Sequence, residues 1–397
     1  MKTRFDNPPT PSRRRLGRLA LAGTAIALAG ALPFAAQAAD PVRIGFNAPL
    51  TGFAAADGKS ALNGAELAVE QINAGGGING RPVQLVVYDD GAKADQGVQL
   101  ANKLISQDGV KIAVSGSYSG PTRASAPIYQ TAGIPYISAY AVHPDITRAG
   151  NFVFRTSFMG EVQGRAGAKL VGEILGKKRV VVITLNNDFG QSLAAGFKEK
   201  AADFGIEVVN EYSYGMKDRQ FGPMIASIKG DNPDAIYASG YFFTAGPLVS
   251  QLRAAGVSAQ VIGQEGYDGQ KFIEIAGAAA EGVIITTSLD RDSKVAATRE
   301  FIDAYEKKAG QKADMVAAST HTAVWVAANA MRAAGADDPA RIRDAIAATK
   351  LVASTGTISF NALGEVRKSV QNQVVRDKAW HHHSVIDDAA LLAPPEQ

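Results

Sequence analysis

The chain alternates strand-like and helix-like hydrophobic patterns, and it runs through that alternation twice. Val42–Ala48 reads as a strand, and 58–74 as a helix with an apolar stripe at Leu62, Ala65, Val69 and Ile72. Strands at 83–88, 110–115, 134–138 and 152–156 follow, separated by helices at 95–107 and 121–132. The pattern then restarts with a helix at 161–175 and the strand Arg179–Leu185, whose near-continuous apolar run suits a parallel strand buried on both faces. Segments 191–204, 207–212, 221–229, 235–239, 245–255, 260–263, 270–276 and 282–287 continue it. Two long helices at 296–309 and 314–334, a shorter one at 339–348 and late strands at 357–360 and 370–378 complete the chain. Strands alternating with helices of this length specify βαβ units and parallel sheets. About 360 residues of it exceed one doubly wound sheet of usual size, so the pattern predicts an α/β protein of two lobes. Ligands of such sheets sit beyond the carboxyl ends of the strands, at helix N-termini. That rule selects the loops 49–59, 116–121, 139–145, 186–190, 240–245 and 264–268.

Residue inventory narrows the chemistry. The 397 residues include no Cys, which excludes disulfides, thiolate nucleophiles, Cys-based zinc sites and a lipid-modified cysteine. The five His are His143, His321, His381, His382 and His383, so His-dependent catalysis has few places to stand. The net charge of +3 comes from the leader: residues 1–38 carry six basic side chains against Asp6 alone, which leaves 35 basic and 37 acidic groups for the rest. A near-neutral body gives no electrostatic case for nucleic acid as a partner.

The leader reads as an export address. A basic segment at 1–18 precedes a 14-residue uncharged, mostly apolar stretch at 19–32, too short to span a bilayer of about 30 Å, and Ala36-Gln37-Ala38 offers a cleavage site after Ala38. Arg13-Arg14-Arg15 gives two readings, a twin-arginine signal or a general-secretion signal with extra arginines. Either excludes 1–38 from the fold, and the first places the mature chain in a bacterial periplasm.

Several motifs dissolve on inspection. Gly75-Gly76-Gly77-Ile78-Asn79-Gly80 matches G-x-G-x-x-G, but it follows a helix and opens a strand, the reverse of a dinucleotide fingerprint, and reads as a C-cap turn. Gly52 and Gly58-Lys59-Ser60 miss the P-loop spacing by one residue. Asp89-Asp90 has no third oxygen ligand at a calcium-loop spacing and reads as a pair of solvated turn acids. The run His381, His382 and His383 reads as an exposed tail, and His321 as a packed or half-exposed helix residue. Gly116-Ser117-Tyr118-Ser119-Gly120 carries Tyr where a nucleophile elbow needs Ser. No catalytic residue, cofactor or metal is assigned.

What remains on the selected loops is a set of groups suited to holding rather than reacting. Ser117 and Ser119 supply hydroxyls beside a helix N-terminus, which together can hold a carboxylate. Glu265 can hold an ammonium. Tyr118, Tyr140, Phe189 and Tyr241 supply apolar walls or a cation–π face.

Seven stretches carry a resemblance. They are Ala48-Pro49-Leu50-Thr51-Gly52, the segment 67–80 (LAVEQINAGGGING), Val87-Tyr88-Asp89-Asp90, Gly133-Ile134-Pro135-Tyr136-Ile137-Ser138, Phe152-Val153-Phe154-Arg155-Thr156, Asp188-Phe189-Gly190-Gln191-Ser192 and Ala280-Glu281-Gly282-Val283. In this order the chain resembles the periplasmic leucine/isoleucine/valine-binding protein family, the substrate-binding components of ABC importers. The resemblance implies a type I periplasmic-binding fold: two Rossmann-like lobes with three crossovers, near 157–160, 287–292 and 353–358, closing on a ligand between them. It divides the chain into a first lobe of 40–158 plus 290–354, a second of 159–288 plus 355–388, and a frayed tail at 389–397. By resemblance, Ser119 holds the ligand carboxylate, Glu265 its α-ammonium, and Tyr241 covers it. Phe189 keeps the ring of a usual tyrosine without its hydroxyl. Val142 stands where a threonine is common, Tyr140 where a small residue is, and Asp57 where the branched-chain binder has a tyrosine. These departures predict a compact or planar ligand over leucine. The implied ligand is an amino acid, branched-chain or related, with an aromatic or other small carboxylate as the alternative. The implied partner is an inner-membrane ABC permease, with a sensing role for a regulator as the second possibility, and the chain is expected to be a monomer.

Overall fold

A computed structural model describes residues 40–335 and 337–394. The leader and its cleavage site lie outside the described residues.

Two sheets organise the body. The first is wholly parallel, in the order β2-β1-β3-β4-β5, with β1 Val42–Ala48, β2 Val83–Asp89, β3 Ala113–Ser115, β4 Tyr136–Ser138 and β5 Val153–Arg155. Helices α1 (Ala55–Ala74), α2 (Ala94–Ser106) and α3 (Ser119–Ala132) connect its strands. The second sheet has the order β14-β13-β10-β9-β8-β6-β7. Its parallel part is β6 Arg179–Leu185, β7 Glu207–Tyr214, β8 Ala235–Ala238, β9 Gln260–Gly263 and β10 Ile284–Thr287, interleaved with α4 (Gly160–Lys169), α5 (Asp188–Ala201), α6 (Gly222–Asp231), α7 (Phe242–Ala254) and α8 (Gln270–Ala276). The chain then returns to the first sheet with α9 (Ala296–Ala309), α10 (Met315–Ala334), α11 (Pro339–Ala347) and the small hairpin β11–β12 (Leu351–Ala353, Gly356–Ile358). It ends on the antiparallel pair β13 (Val370–Arg376) and β14 (Ala379–Ile386) at the edge of the second sheet.

The packing of α1 on α10 sets both helix N-termini at the cleft between the sheets. Gly64 permits it: a Cβ there would sit 2.3 Å from the Ala317 carbonyl oxygen, so the helices meet backbone to backbone. Asp314 caps α10 by accepting from the Ala317 N–H at 2.8 Å. His321, further along α10, is buried and bonded on both ring nitrogens, to Gln71 Oε1 at 2.8 Å and Ser354 Oγ at 3.1 Å. Burial pulls its pKa from 6.5 down to about 3. The folded chain therefore resists taking a proton that the unfolded chain accepts below pH 6.5, and stability falls as pH drops from 6.5 toward 3. His321→Gln should lose less stability between pH 6.5 and 4 than wild type does. Parallel urea midpoints for the two proteins across that window would remove His321 from the account.

Three features differ from the sequence reading. The third passage between the sheets was expected near 353–358. Ser354 and Thr355 instead bond to Thr322 of α10, at 2.9 and 3.1 Å, and Glu365 pairs with Arg155 at the end of β5. Segment 355–366 is thereby tied to first-sheet elements, and the chain enters the second sheet only at Val370. The His run is not a tail but the middle of β14. Asp377 and Lys378 adopt φ of 50° and 63°, making a two-residue turn that ends β13 short of its expected length. The terminus is packed at 391–393: Leu391 and Leu392 are buried, and Arg165 donates to the Leu391 and Ala393 carbonyls at 3.3 and 3.2 Å. The last three residues lie outside the described range.

Candidate ligand cleft

The carboxyl ends of six strands from the two sheets converge on one cavity. Asp57 comes from the first turn of α1, after β1, three residues inside a helix that begins earlier than the sequence predicts. Tyr118 and Ser119 open α3 after β3, and Tyr140 follows β4. From the second sheet come Phe189 after β6, Tyr241 after β8 and Glu265 after β9. All seven line the cavity.

Rings build the walls. Tyr118 and Tyr241, one from each sheet, stack with centroids 4.3 Å apart and planes within 3°. Phe189 stacks on the other side of Tyr241 at 4.7 Å, and Tyr140 meets Tyr118 edge-on at 6.5 Å. Outside them Phe53 meets Phe243 at 5.3 Å, a second ring pair across the cleft. The ring hydroxyls are placed by local bonds: Tyr140 donates to the Gly116 carbonyl at 2.7 Å, and Tyr118 to Asp57 Oδ2 at 2.6 Å.

Two acids face this aromatic space. Glu265 is 3% exposed. Its Oε2 accepts from Ser157 Oγ at 3.2 Å, while Oε1 is buried without a partner among the described residues. Burial raises its pKa from 4.5 to about 8, against the opposing bond from Ser157 and the charge of Lys368. Lys368, just before β13, has a buried ammonium without a hydrogen-bond partner among the described residues, and burial lowers its pKa to about 7. Asp57 is raised from 3.8 to about 7, first by burial and further by the charges of Asp314 and Asp268, with the Tyr118 bond opposing. The cavity lining contains no Lys, Arg or His.

Ser119 completes the set. Its Oγ accepts from the Val142 N–H at 3.2 Å, which leaves its own proton to donate. The first-turn N–H groups of α3 stand beside it without intrahelical acceptors. A carboxylate at this corner meets donors, and an ammonium at Glu265 meets acceptors.

Ser117 and Val142, expected at the cavity, stand behind it. Ser117 is fully buried beside Asp90. Val142 acts through its backbone, with N–H to Ser119 and C=O to the Gly160 N–H at 2.8 Å, while its side chain is in the core. Its loop is held by Arg155, which donates to the Ala141 and His143 carbonyls at 2.7 and 2.8 Å. Sequence reasoning missed Ala141, Gly266, Met315 and Val316 in the lining. A Cβ on Gly266 would come within 2.2 Å of the Gly240 carbonyl oxygen and 3.1 Å of Phe189, so glycine keeps that wall closed. Asp314 marked the start of α10, yet nothing local says that this start reaches the cleft. The turn acids, expected to be solvated, divide: the Thr51 hydroxyl and the Leu50, Thr51 and Gly91 N–H groups hold the Asp89 carboxyl below the usual range, whereas Asp90 is fully buried, accepts from Asn47 Nδ2 at 2.7 Å and is raised by that burial. Among the described residues no side-chain cluster could hold a metal, and no helix is long and apolar enough to cross a membrane.

Paired α/β sheets closing rings, hydroxyls and acids over one cavity define a capture protein, one that encloses a small solute. The chain belongs to the periplasmic binding protein family, whose sequence profile matches residues 41–375. It is 31% identical over 357 residues to the leucine-, isoleucine-, valine-, threonine- and alanine-binding protein of Pseudomonas aeruginosa, covering 89% of this chain and 94% of that relative. It is 30% identical over 363 residues to the Leu/Ile/Val-binding protein of Escherichia coli K12, covering 90% and 96%. The crystal structure of the branched-chain amino acid transporter substrate binding protein LivJ from Streptococcus pneumoniae, in complex with isoleucine, matches with a TM-score of 0.82 at 29% identity, over 87% of this chain and 99% of that one. The fold is the two-lobed type I binding-protein fold, and the family is one of substrate-binding proteins rather than enzymes.

Proposed function

We propose that this chain is the periplasmic substrate-binding protein of an ABC importer and that it captures a small α-amino acid between its lobes. The observation that carries the reading is Glu265 Oε1: a buried carboxylate oxygen at the cavity with no donor. Leaving such a group unmade costs about 1–3 kcal/mol, and more when it is charged, so the site selects a ligand that brings a donor. An α-ammonium is that donor, and Ser119 with the N-terminus of α3 receives the carboxylate of the same ligand. Phe189 and Tyr241 cover it from the second lobe. An aromatic acid without an ammonium suits the ring walls but leaves Glu265 unpaired, which disfavours it. The lobes meet at three passages, around 156–159, 288–295 and 366–369, and closure about them buries the ligand. The leader directs the chain to the periplasm, where it works as a monomer and delivers its ligand to an inner-membrane permease. Titration calorimetry with alanine, threonine, valine, leucine and benzoate tests the reading. Binding of at least one amino acid with no heat from benzoate is expected. Benzoate binding alone would overturn it.

A further inference from the structure

Nothing in the binding of a plain aliphatic side chain calls for Asp57. Its carboxyl lines the cavity from the first turn of α1, and among the described residues Tyr118 alone donates to it, through Oδ2. Its other oxygen has no partner there. The surrounding wall is made of Tyr118, Tyr140, Phe189 and Tyr241, and no basic side chain lines the space. Glu265, on the opposite lobe, is a fully buried acid with an unpaired oxygen in the lining of the same cavity, whereas Asp57 is half-buried there. One ammonium answers one of these acids. The other is left against whatever the rest of the ligand carries.

We propose that Asp57 and Tyr118 form a second polar pole of the cavity, and that the ligand is an amino acid whose short side chain ends in a hydrogen-bond donor, a hydroxyl or a second ammonium. The proposal rests on the amino-acid reading above and names the side chain that reading leaves open. An aliphatic side chain would cover Asp57, strip it of water and give it nothing in return. A hydroxyl donates to the free oxygen, and an ammonium also gains from the faces of the surrounding rings. Burial already holds the Asp57 carboxyl far above its ordinary range, and an incoming donor relieves that cost. Sites that hydrogen-bond a ligand group discriminate strongly against the analogue that lacks it, because their own buried polar groups are then left unpaired.

Threonine and valine have the same shape and differ by a hydroxyl against a methyl, so they isolate the effect. Calorimetry on the wild-type mature chain should show threonine, 2,4-diaminobutyrate or both bound about tenfold or more tighter than valine. Asp57→Leu should remove that preference and bring valine level with threonine or ahead of it. Asp57→Asn, which keeps the shape and loses the charge, should retain threonine and weaken 2,4-diaminobutyrate. Valine bound by the wild type as tightly as both donor-bearing ligands overturns this inference while leaving the amino-acid reading intact. No binding of any amino acid, with benzoate or a similar acid bound instead, overturns the reading itself and the inference with it.

Discussion

Glu365→Ala should destabilise the folded chain by about 3–5 kcal/mol, the range for removing one partner of a buried ion pair. Arg155 and Glu365 are 0% and 1% exposed, so both charges are taken out of solvent. The guanidinium donates to both Glu365 oxygens, through Nε at 3.2 and 3.1 Å and Nη2 at 3.0 Å. Two more of its hydrogens go to the Ala141 and His143 carbonyls. Thr147 adds a hydroxyl to Glu365. Removing the carboxylate leaves a cation among carbonyls with no counter-charge. The same bonds hold the loop that carries Tyr140, Ala141 and Val142, so the variant should also bind its ligand more weakly. Replacing both partners with apolar residues, as in Arg155→Met with Glu365→Leu, should recover much of the stability but not the loop geometry. Urea unfolding of the three proteins measures this, and a Glu365→Ala midpoint equal to that of wild type would contradict it.

Glu265→Ala should weaken amino-acid binding by about 2–5 kcal/mol, roughly 30-fold to several thousand-fold, because the ligand ammonium is then buried without its partner. Folding should not suffer in the same way. Burial already disfavours the ionised Glu265 carboxyl, as its rise to about 8 indicates, so its loss from the empty protein is mild. A circular dichroism melt of each ligand-free protein separates the two effects. Unchanged affinity in a folded Glu265→Ala protein would remove the ammonium from that end of the cavity.

The alternation of apolar strands and amphipathic helices made the parallel sheets legible, because each βαβ unit carries its own period. Six cavity residues were legible for a related reason: strand ends and helix starts are local signals, and α/β topology gathers them at one edge; the seventh, Asp57, came from the family resemblance. Val142 was misplaced because the sequence shows which residue occupies a loop but not which way the loop turns, and here its backbone does the work. Met315 and Val316 were missed because their position depends on α10 crossing α1 some 250 residues away in sequence, through a close approach at Gly64. The third passage was misplaced for the same kind of reason. Segment 361–369 has no period to read, and its attachment, a buried ion pair and a backbone bond to Arg155, is to a strand about 210 residues earlier. The β13–β14 turn lacks the glycine or asparagine that usually marks such a turn, so a two-strand hairpin read as one strand and a tail.

The central claim is that the cavity holds an α-amino acid by its ammonium at Glu265 and its carboxylate at Ser119. Mass spectrometry of the small molecule released when freshly purified wild-type protein is denatured tests it most directly. The account predicts a free α-amino acid, released in near-stoichiometric amount and absent from Glu265→Ala prepared in parallel. A stoichiometric ligand without an amino group, retained equally by both proteins, would contradict it.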